Sequence, residues 1–219
     1  SSSPILSSLN ELRGRHRLNF VGSHIISVDQ FDRSAADRIF EVADKMQPYA
    51  MRQRITRVLQ GAILSNMFFE PSTRTRVSFG SAFNLLGGEV RETSEAKTSS
   101  LTKGESLYDT ARVLSGYSDV IVMRHPEPGS VAMFAKASRV PVINGGDGPN
   151  EHPSQALLDL YTMRTEIAAQ GQSLDGLSIA LIGDLRFGRA VHSLCKLLCL
   201  YDNIRLHLIS PPELALPSE

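Results

Sequence analysis

Residues 70–79 read EPSTRTRVSF and lie between a mainly apolar run and an amphipathic one. The apolar run, from Ala62 to Phe69, predicts a buried strand. The residues after it recur at the spacing of one helix face: Phe79, Ala82, Phe83 and Leu86. Ser72 is therefore expected where a strand ends and a helix begins. Free backbone N–H groups and the helix dipole favour an anion at such a place.

The side chains of this segment add to its capacity for anions. Ser72, Thr73 and Thr75 carry hydroxyl donors, and Arg74 carries a planar fork that matches phosphate oxygens. Arg76 lies two residues after Arg74, so it cannot share that helix face, and we expect it in a structural ion pair. An ordinary capped helix start with surface arginines is the alternative interpretation.

Composition limits the classes of function. The chain has 219 residues, 42% of them hydrophobic, with 23 basic and 23 acidic residues. This balance argues against nucleic acid or an anionic membrane as the main partner. No apolar run approaches the ~20 residues that span a bilayer, and the N-terminus lacks a secretory core. Cys195 and Cys199 are expected to be buried thiols in a reducing cytoplasm, since two cysteines cannot complete a tetrahedral metal site.

Strand and helix patterns alternate along most of the chain, which predicts an α/β fold with a parallel sheet and helices on both faces. We expect a flexible extension over 1–23, a ligand-binding domain over 24–151 and a connecting helix over 152–171. The pattern over 172–219 predicts only part of a second doubly wound domain, which needs on the order of 100 residues. The first helix is expected to take Ser34 as its N-cap.

Polar residues follow four of the predicted strands: EPSTRT, MRHP (123–126), NGGDGPNEHPSQ (144–155) and GDLRFGR (183–189). Ligands of α/β sheets bind beyond the carboxyl ends of strands, so these segments predict a site for a multiply anionic ligand. Arg124 ends an apolar strand and is expected to reach the ligand. His125 points to the other face and is expected to be structural. His152 and Gln155 have the spacing that puts an imidazole and an amide on one helix face.

STRTR followed by SF resembles the carbamoyl-phosphate signature of the aspartate and ornithine carbamoyltransferases. HPSQ resembles the element of that family whose histidine and glutamine contact the carbamoyl group. TSSLTKGES (98–106), VMRHP and GDLRFGR look like the aspartate enzymes. The resemblance extends from about His24 to Pro217, with five motifs in the family's order.

The resemblance implies roles for residues of this chain. Ser72, Thr73 and Arg74 would hold the phosphate, and Arg124, Thr75 and His152 would stabilise the carbonyl oxygen. Gln155 would contact the carbamoyl group. Ser99 and Lys103 would enter the site of a neighbouring subunit, Arg189 would bind an aspartate carboxylate, and Glu70 would pair with arginines of the second domain.

The reaction that the resemblance implies is carbamoyl transfer from carbamoyl phosphate to the α-amine of L-aspartate, an early step of pyrimidine synthesis. It would need no metal and no cofactor. The implied partners are the two substrates, two further copies in a homotrimer with shared active sites, and a regulatory chain or a dihydroorotase.

Some parts of the family's site are missing from this sequence. The second-domain loop with its aspartate-binding arginine and glutamine is absent, as is the late proline–leucine loop that touches carbamoyl phosphate. Catalysis by this chain alone is therefore not expected. Two other functions stay open at this point: an ornithine carbamoyltransferase, and a non-catalytic fragment or paralogue that binds an anion.

Overall fold

The computed structural model describes residues 20–94 and 105–217. They group into two compact units. The four-stranded unit consists of Phe20–Ile26 and Glu41–Asn150, and the two-stranded unit of Ser27–Phe40 and the residues from Glu151 on. The domain boundaries drawn from the sequence stay a prediction.

The four-stranded unit is built on one parallel sheet with the strand order β2-β1-β3-β4. Its strands are β1 (Ile63–Phe68), β2 (Glu89–Ser94), β3 (Val120–His125) and β4 (Val142–Asp147). In this arrangement the carboxyl ends of β1, β3 and β4 lie at the same edge, which is the edge that the sequence predicted for the ligand.

Helices cover both faces of this sheet, as the sequence predicted. The helices that begin before residue 150 are α1 (Arg33–Ala50), α2 (Thr73–Leu85), α3 (Leu107–Leu114) and α4 (Ser130–Ala137). Met67, Ile121 and Met123 point to one face, where they pack with residues of α3 and α4. Leu64, Phe68 and Val122 point to the other face, where α2 supplies Phe79 and Phe83. The alternation follows from the two-residue period of a strand.

Strand β2 was not predicted. Its sequence, EVRETS, holds a single large apolar residue, Val90, which packs against the α2 face of the sheet. Among the described strands, it lies at the edge of the sheet and pairs only with β1. An edge strand needs less apolar surface than the central strands β1 and β3, so hydrophobic periodicity misses it.

The start of α1 corrects one prediction. The helix begins at Arg33, so Ser34 lies inside it and is not the N-cap. The carboxylate of Asp32 accepts a hydrogen bond from the Ala35 N–H at 2.6 Å. Asp32 therefore caps this helix, since a side-chain oxygen that accepts from the third residue on is the usual N-cap contact.

In its described residues, the two-stranded unit contains a parallel pair of strands and two complete α-helices. They are β5 (Ser178–Ile182), β6 (Arg205–Ile209), α5 (Pro153–Ala168) and α6 (Arg189–Leu198). Apolar side chains of both strands stay accessible to solvent, with Ile182 73% and Ile209 51% exposed. The partial second α/β domain that the sequence predicted is confirmed. Cys199 is exposed and only Cys195 is half-buried, so the burial expected of both thiols is wrong for Cys199. Among the described helices, none is long and apolar enough to cross a membrane.

Tyr201 follows α6 and is a buried residue of the two-stranded unit, with 6% of its surface exposed. The guanidinium of Arg33 lies 4.8 Å from the centre of its ring. The hydroxyl is buried and has no hydrogen-bond partner in the described part of the chain. Burial raises the pKa of Tyr201 to about 12. The environment therefore stabilises the ring and not its hydroxyl.

We expect Tyr201→Phe to raise the free energy of unfolding by about 0.5–1.5 kcal/mol at pH 8, because it removes an unsatisfied buried polar group. In the parent protein, the folded pKa lies above the unfolded value of about 10. The stability that depends on a protonated Tyr201 is therefore complete below pH 10 and is lost as the pH rises toward 12. Urea unfolding of both proteins at pH 8 and pH 11 measures the two effects. A less stable variant at pH 8 would contradict the assignment.

Candidate active site

The N-terminus of α2 presents donors that the described residues do not use. Ser72 is its N-cap, with extended backbone, and its side chain caps no N–H group among the described residues. Thr73 and Arg74 are exposed. In the described ranges, the Arg74 side chain makes no hydrogen bond or ion pair with the protein. The backbone N–H groups, two hydroxyls and a guanidinium thus face solvent at one helix end, which favours an anion.

Arg76 behaves differently from Arg74, as expected from its position. Its Nη1 donates to Oε2 of Glu92 on β2 at 2.7 Å. Its backbone carbonyl accepts from Nδ2 of the buried Asn66 at 2.9 Å. Arg76 therefore connects α2 to the sheet, which confirms the structural role predicted from the sequence.

Arg124 is a buried arginine, with 7% of its surface exposed. Its Nε donates to the carbonyl oxygen of Gly145 at 2.6 Å, and its Nη2 donates to Oγ1 of Thr75 at 2.9 Å. Oε1 of Glu70 lies 3.8 Å from Nε, within ion-pair distance. These contacts fix the buried guanidinium in position, and its positive charge suits an anion or a carbonyl oxygen. With this burial, Arg124 is not a surface arginine.

His125 points away from Arg124. Its ring packs edge-on against Phe69, with 5.4 Å between the ring centres. Its Nδ1 accepts a hydrogen bond from the Glu127 N–H at 3.1 Å. Burial lowers the pKa of His125, so the ring is neutral near pH 7. These contacts confirm the structural role that the sequence predicted.

The carboxyl end of β4 carries a buried polar network that the sequence did not single out. Asn144 and Asp147 are 0% and 1% exposed. Asn144 Nδ2 donates to Asp147 Oδ1 at 3.1 Å, and Asn144 Oδ1 accepts from the Gly146 N–H at 2.8 Å. No short motif predicts this network; the available signal was two polar side chains inside a strand otherwise built from apolar residues and glycine.

In the two-stranded unit, α5 begins at the predicted HPSQ element, with Pro153 in its first turn. His152 is buried, with 6% exposed, and its N–H donates to Oγ of Ser193 at 3.1 Å. Nε2 of Gln155 donates to Oδ1 of Asp159 at 2.9 Å. Burial raises the pKa of the Asp159 carboxyl, and the hydrogen bond from Gln155 opposes this shift. The hydrogen bond from Nε2 to Asp159 therefore fixes the orientation of the Gln155 amide.

Glu151 directly precedes His152, and no structural role was predicted for it from the sequence. It is 4% exposed and its Oε2 accepts from the Val28 N–H at 2.9 Å. Its Oε1 accepts from Oγ of Ser27 at 2.7 Å and from Nζ of Lys196 at 2.9 Å. The buried carboxylate thus has a cationic partner and several hydrogen-bond donors. This carboxylate fixes the chain at the start of α5.

Of the remaining predicted site residues, the structure describes Arg189 but not Ser99 or Lys103. Arg189 begins α6, where its N–H donates to the Phe187 carbonyl oxygen at 3.0 Å. Ser99 and Lys103 lie outside the described residues. Of the predicted residues, the structure brings Thr75 and Arg124 into direct contact, with Ser72, Thr73 and Arg74 on the same helix start as Thr75.

A groove of about 630 Å³ is present elsewhere on the four-stranded unit. Its lining includes Arg54, Arg57, Gly61 and Glu89. Gly61 precedes β1 and Glu89 begins β2, so the groove lies at the amino ends of these strands. The candidate site lies at the opposite edge of the sheet.

The model of the family "Aspartate/ornithine carbamoyltransferase, carbamoyl-P binding domain" matches residues 23–165. The chain belongs to this family. It is 70% identical over 200 residues to the aspartate carbamoyltransferase catalytic subunit of Cellvibrio japonicus, covering 91% of this chain and 59% of that protein. It is 71% identical over 202 residues to the corresponding subunit of Saccharophagus degradans, covering 92% and 60%.

Solved structures of family members have the same fold. Aspartate transcarbamoylase from Trypanosoma cruzi, in complex with carbamoyl aspartate and phosphate, matches with a TM-score of 0.83 and 42% identity, covering 90% of this chain and 63% of that chain. The catalytic subunit of the M. jannaschii enzyme matches with a TM-score of 0.82 and 47% identity, with the same two coverages. The chain thus spans about three fifths of the length of the relatives it matches.

Proposed function

We propose that this chain is the part of an aspartate carbamoyltransferase catalytic subunit that binds carbamoyl phosphate. The single observation that carries the proposal is the pairing of unused donors at the start of α2 with a buried Arg124 held by Thr75 at 2.9 Å. Relatives at 70% identity are named as this enzyme, and the T. cruzi relative was solved with carbamoyl phosphate and aspartate.

The phosphate group is held by the start of α2. Ser72 and Thr73 donate through hydroxyls and backbone N–H groups, and Arg74 donates through its fork. Lys103 adds a positive charge, as the resemblance implies. These contacts stabilise the phosphate as it leaves with the bonding electron pair, so they lower the barrier to cleavage of the C–O bond.

The carbonyl oxygen of the carbamoyl group is held by Arg124, Thr75 and His152. Because Thr75 Oγ1 accepts from Arg124, its own O–H is directed elsewhere and can donate to the ligand. Negative charge develops on this oxygen when the amine attacks, and prearranged donors stabilise it. Gln155 gives its Nε2 hydrogen to Asp159, so its Oε1 is left to accept from the carbamoyl NH₂.

The neutral α-amine of L-aspartate attacks the carbamoyl carbon. A C–N bond forms, the C–O bond to phosphate breaks, and the amine proton leaves with the phosphate. Arg189 binds an aspartate carboxylate, and Ser99 supports the site. Ornithine would instead present a cationic side chain, for which Arg189 and Lys103 are unfavourable. The product is N-carbamoyl-L-aspartate, an early intermediate of pyrimidine synthesis. The proposed location of the enzyme is the cytoplasm.

The proposed assembly is a homotrimer in which Ser99 and Lys103 act in the site of a neighbour. Mixing Lys103→Ala subunits with Arg74→Ala subunits should then restore activity in the full-length enzyme, because a hybrid can contain one intact shared site. The activity of hybrids separated from the parent oligomers measures this. Hybrids as inactive as each parent would show that every site is built from a single chain. A regulatory chain or a dihydroorotase is a further proposed partner.

The proposed reaction is tested with a chimera, in which residues 1–217 of this chain are joined to the remaining part of the C. japonicus relative. We expect the chimera to form carbamoyl aspartate, and the 219-residue chain alone to show negligible turnover. Ornithine in place of aspartate is the control substrate. A folded chimera that carbamoylates only ornithine would favour the second enzyme, and one that binds phosphate without any turnover would favour a non-catalytic anion-binding protein.

A further inference from the structure

The pairing of β3 with β4 changes register beside Arg124. Met123 pairs with Asn144 and His125 pairs with Asp147. One residue of β3 therefore lies opposite two residues of β4, Gly145 and Gly146. Such a bulge bends the strand and redirects backbone groups, and bulges are frequent beside functional sites. Here it turns the Gly145 carbonyl toward the Arg124 side chain.

The Gly145 carbonyl and the Gly146 N–H belong to one planar peptide group. The oxygen of this group accepts from Arg124 Nε at 2.6 Å, and its N–H donates to Asn144 Oδ1 at 2.8 Å. Gly146 has φ 121°, which side-chain-bearing residues rarely adopt. Two adjacent glycines offer little resistance to rotation of this plane. Its orientation therefore depends on the hydrogen bonds to Asn144 at one end and Arg124 at the other.

Asn144 is itself fixed by neighbours. Its Nδ2 donates to the Ile26 carbonyl oxygen at 2.9 Å and to Asp147 Oδ1 at 3.1 Å. The other oxygen of Asp147 accepts from the Gly129 N–H and from Asn150 Nδ2, each at 3.0 Å. The carboxylate thus ties Asn144 to two loops that follow β3 and β4.

The geometry points to Asn144 and Asp147 as positioning residues for Arg124. They hold the 145–146 peptide plane in the orientation that sets the guanidinium fork toward its ligand. The inference rests on the proposed function, in which Arg124 contacts the carbonyl oxygen and the start of α2 contacts the phosphate. Loss of the network should therefore weaken a ligand that carries both groups and spare one that is only a phosphate.

Isothermal calorimetry of the 219-residue chain, at concentrations where it is monodisperse, tests this with two probes. Phosphonoacetamide carries a phosphonate and an amide carbonyl, and inorganic phosphate lacks the carbonyl. We expect Asn144→Leu to raise the Kd for phosphonoacetamide by about tenfold, as for the loss of one hydrogen bond to a charged group. The Kd for inorganic phosphate should stay within about twofold. Ser65→Ala is the matched control, since it breaks a buried hydrogen bond to Ser118 (2.6 Å) without contact to this network.

Gly146→Ala perturbs the same peptide plane and leaves both polar side chains in place. It should weaken phosphonoacetamide selectively, as Asn144→Leu does, because alanine disfavours φ 121°. Gly22→Ala is its control, at φ 73° with open space around a new Cβ. Equal weakening of both probes, unchanged affinity for both, or loss of folding in both variants would overturn the inference. A parent chain that binds phosphonoacetamide no better than phosphate would instead contradict the proposed function itself.

Discussion

Replacing Arg124 with alanine is expected to lower the kcat of the chimera by about 10²–10³-fold, the usual cost of removing one donor that stabilises a developing oxyanion. The reason is the burial of the guanidinium and its hydrogen bonds to Gly145 and Thr75, which fix it before the ligand arrives. Arg124→Lys keeps the charge but cannot reproduce the planar fork, so it should recover little of the loss. Steady-state kinetics with saturating aspartate measures both variants.

Arg139→Ala is the matched control, because Arg139 is an exposed arginine of the same unit. Its kcat should be that of the parent. The affinity of Arg124→Ala for inorganic phosphate reports whether the start of α2 is still intact. A folded Arg124→Ala chimera that keeps its kcat within about threefold would remove Arg124 from the oxyanion contacts that we assign to it.

Arg74→Ala is expected to raise the Kd for inorganic phosphate by about 10- to 100-fold, since a bidentate charged contact contributes about 1.5–3 kcal/mol. Arg76→Ala should change this Kd by less than about threefold. It should instead lower the free energy of unfolding by about 0.5 kcal/mol, the usual contribution of a partly exposed ion pair such as that with Glu92.

The two variants form a matched pair, because both remove an arginine from the first turns of the same helix. Calorimetry on folded protein measures binding, and urea unfolding measures stability. Small and equal losses of affinity would mean that the helix start is not the phosphate site. A larger loss for Arg76→Ala would reverse the assignment of the two side chains.

The strand and helix that flank STRTR could be predicted because the strand is mainly apolar and the apolar residues of the helix recur on one face. The different directions of the Arg74 and Arg76 side chains also follow from spacing alone, since residues two apart in a helix do not share a face. In a strand, successive side chains point to opposite faces, so Arg124 and His125 are also expected to point in different directions. Local geometry is therefore sufficient wherever one element positions the side chain.

Other features depend on contacts between distant segments, which periodicity does not contain. The hydrogen bond from the Gly146 N–H to Asn144 accompanies a register change between β3 and β4, which no local pattern encodes. The donors to Glu151 come from Ser27 and Lys196, far from it in the chain.

The roles of Ser99, Lys103, His152, Gln155 and Arg189 were taken from the resemblance and stay predictions. Ser99 and Lys103 lie outside the described residues. The contacts of His152 and Gln155 within the two-stranded unit give their orientation, and the chimera and hybrid experiments test their roles.

The segment Ser27–Phe40 belongs to the two-stranded unit although it lies between two parts of the four-stranded unit. Its Arg33 pairs with Asp175 at 2.6 Å, and its Phe40 ring packs 5.7 Å from that of Tyr161. Its buried apolar residues are Val28, Phe31, Ala35, Ala36 and Phe40. The gene therefore cannot be divided into two independent halves by a single cut after Asn150, because the N-terminal product would carry this segment without the residues that cover it. The two pieces should instead become soluble when they are co-expressed in one cell. The junction between Asn150 and Glu151 is therefore suited to a split-protein pair that reports on co-expression.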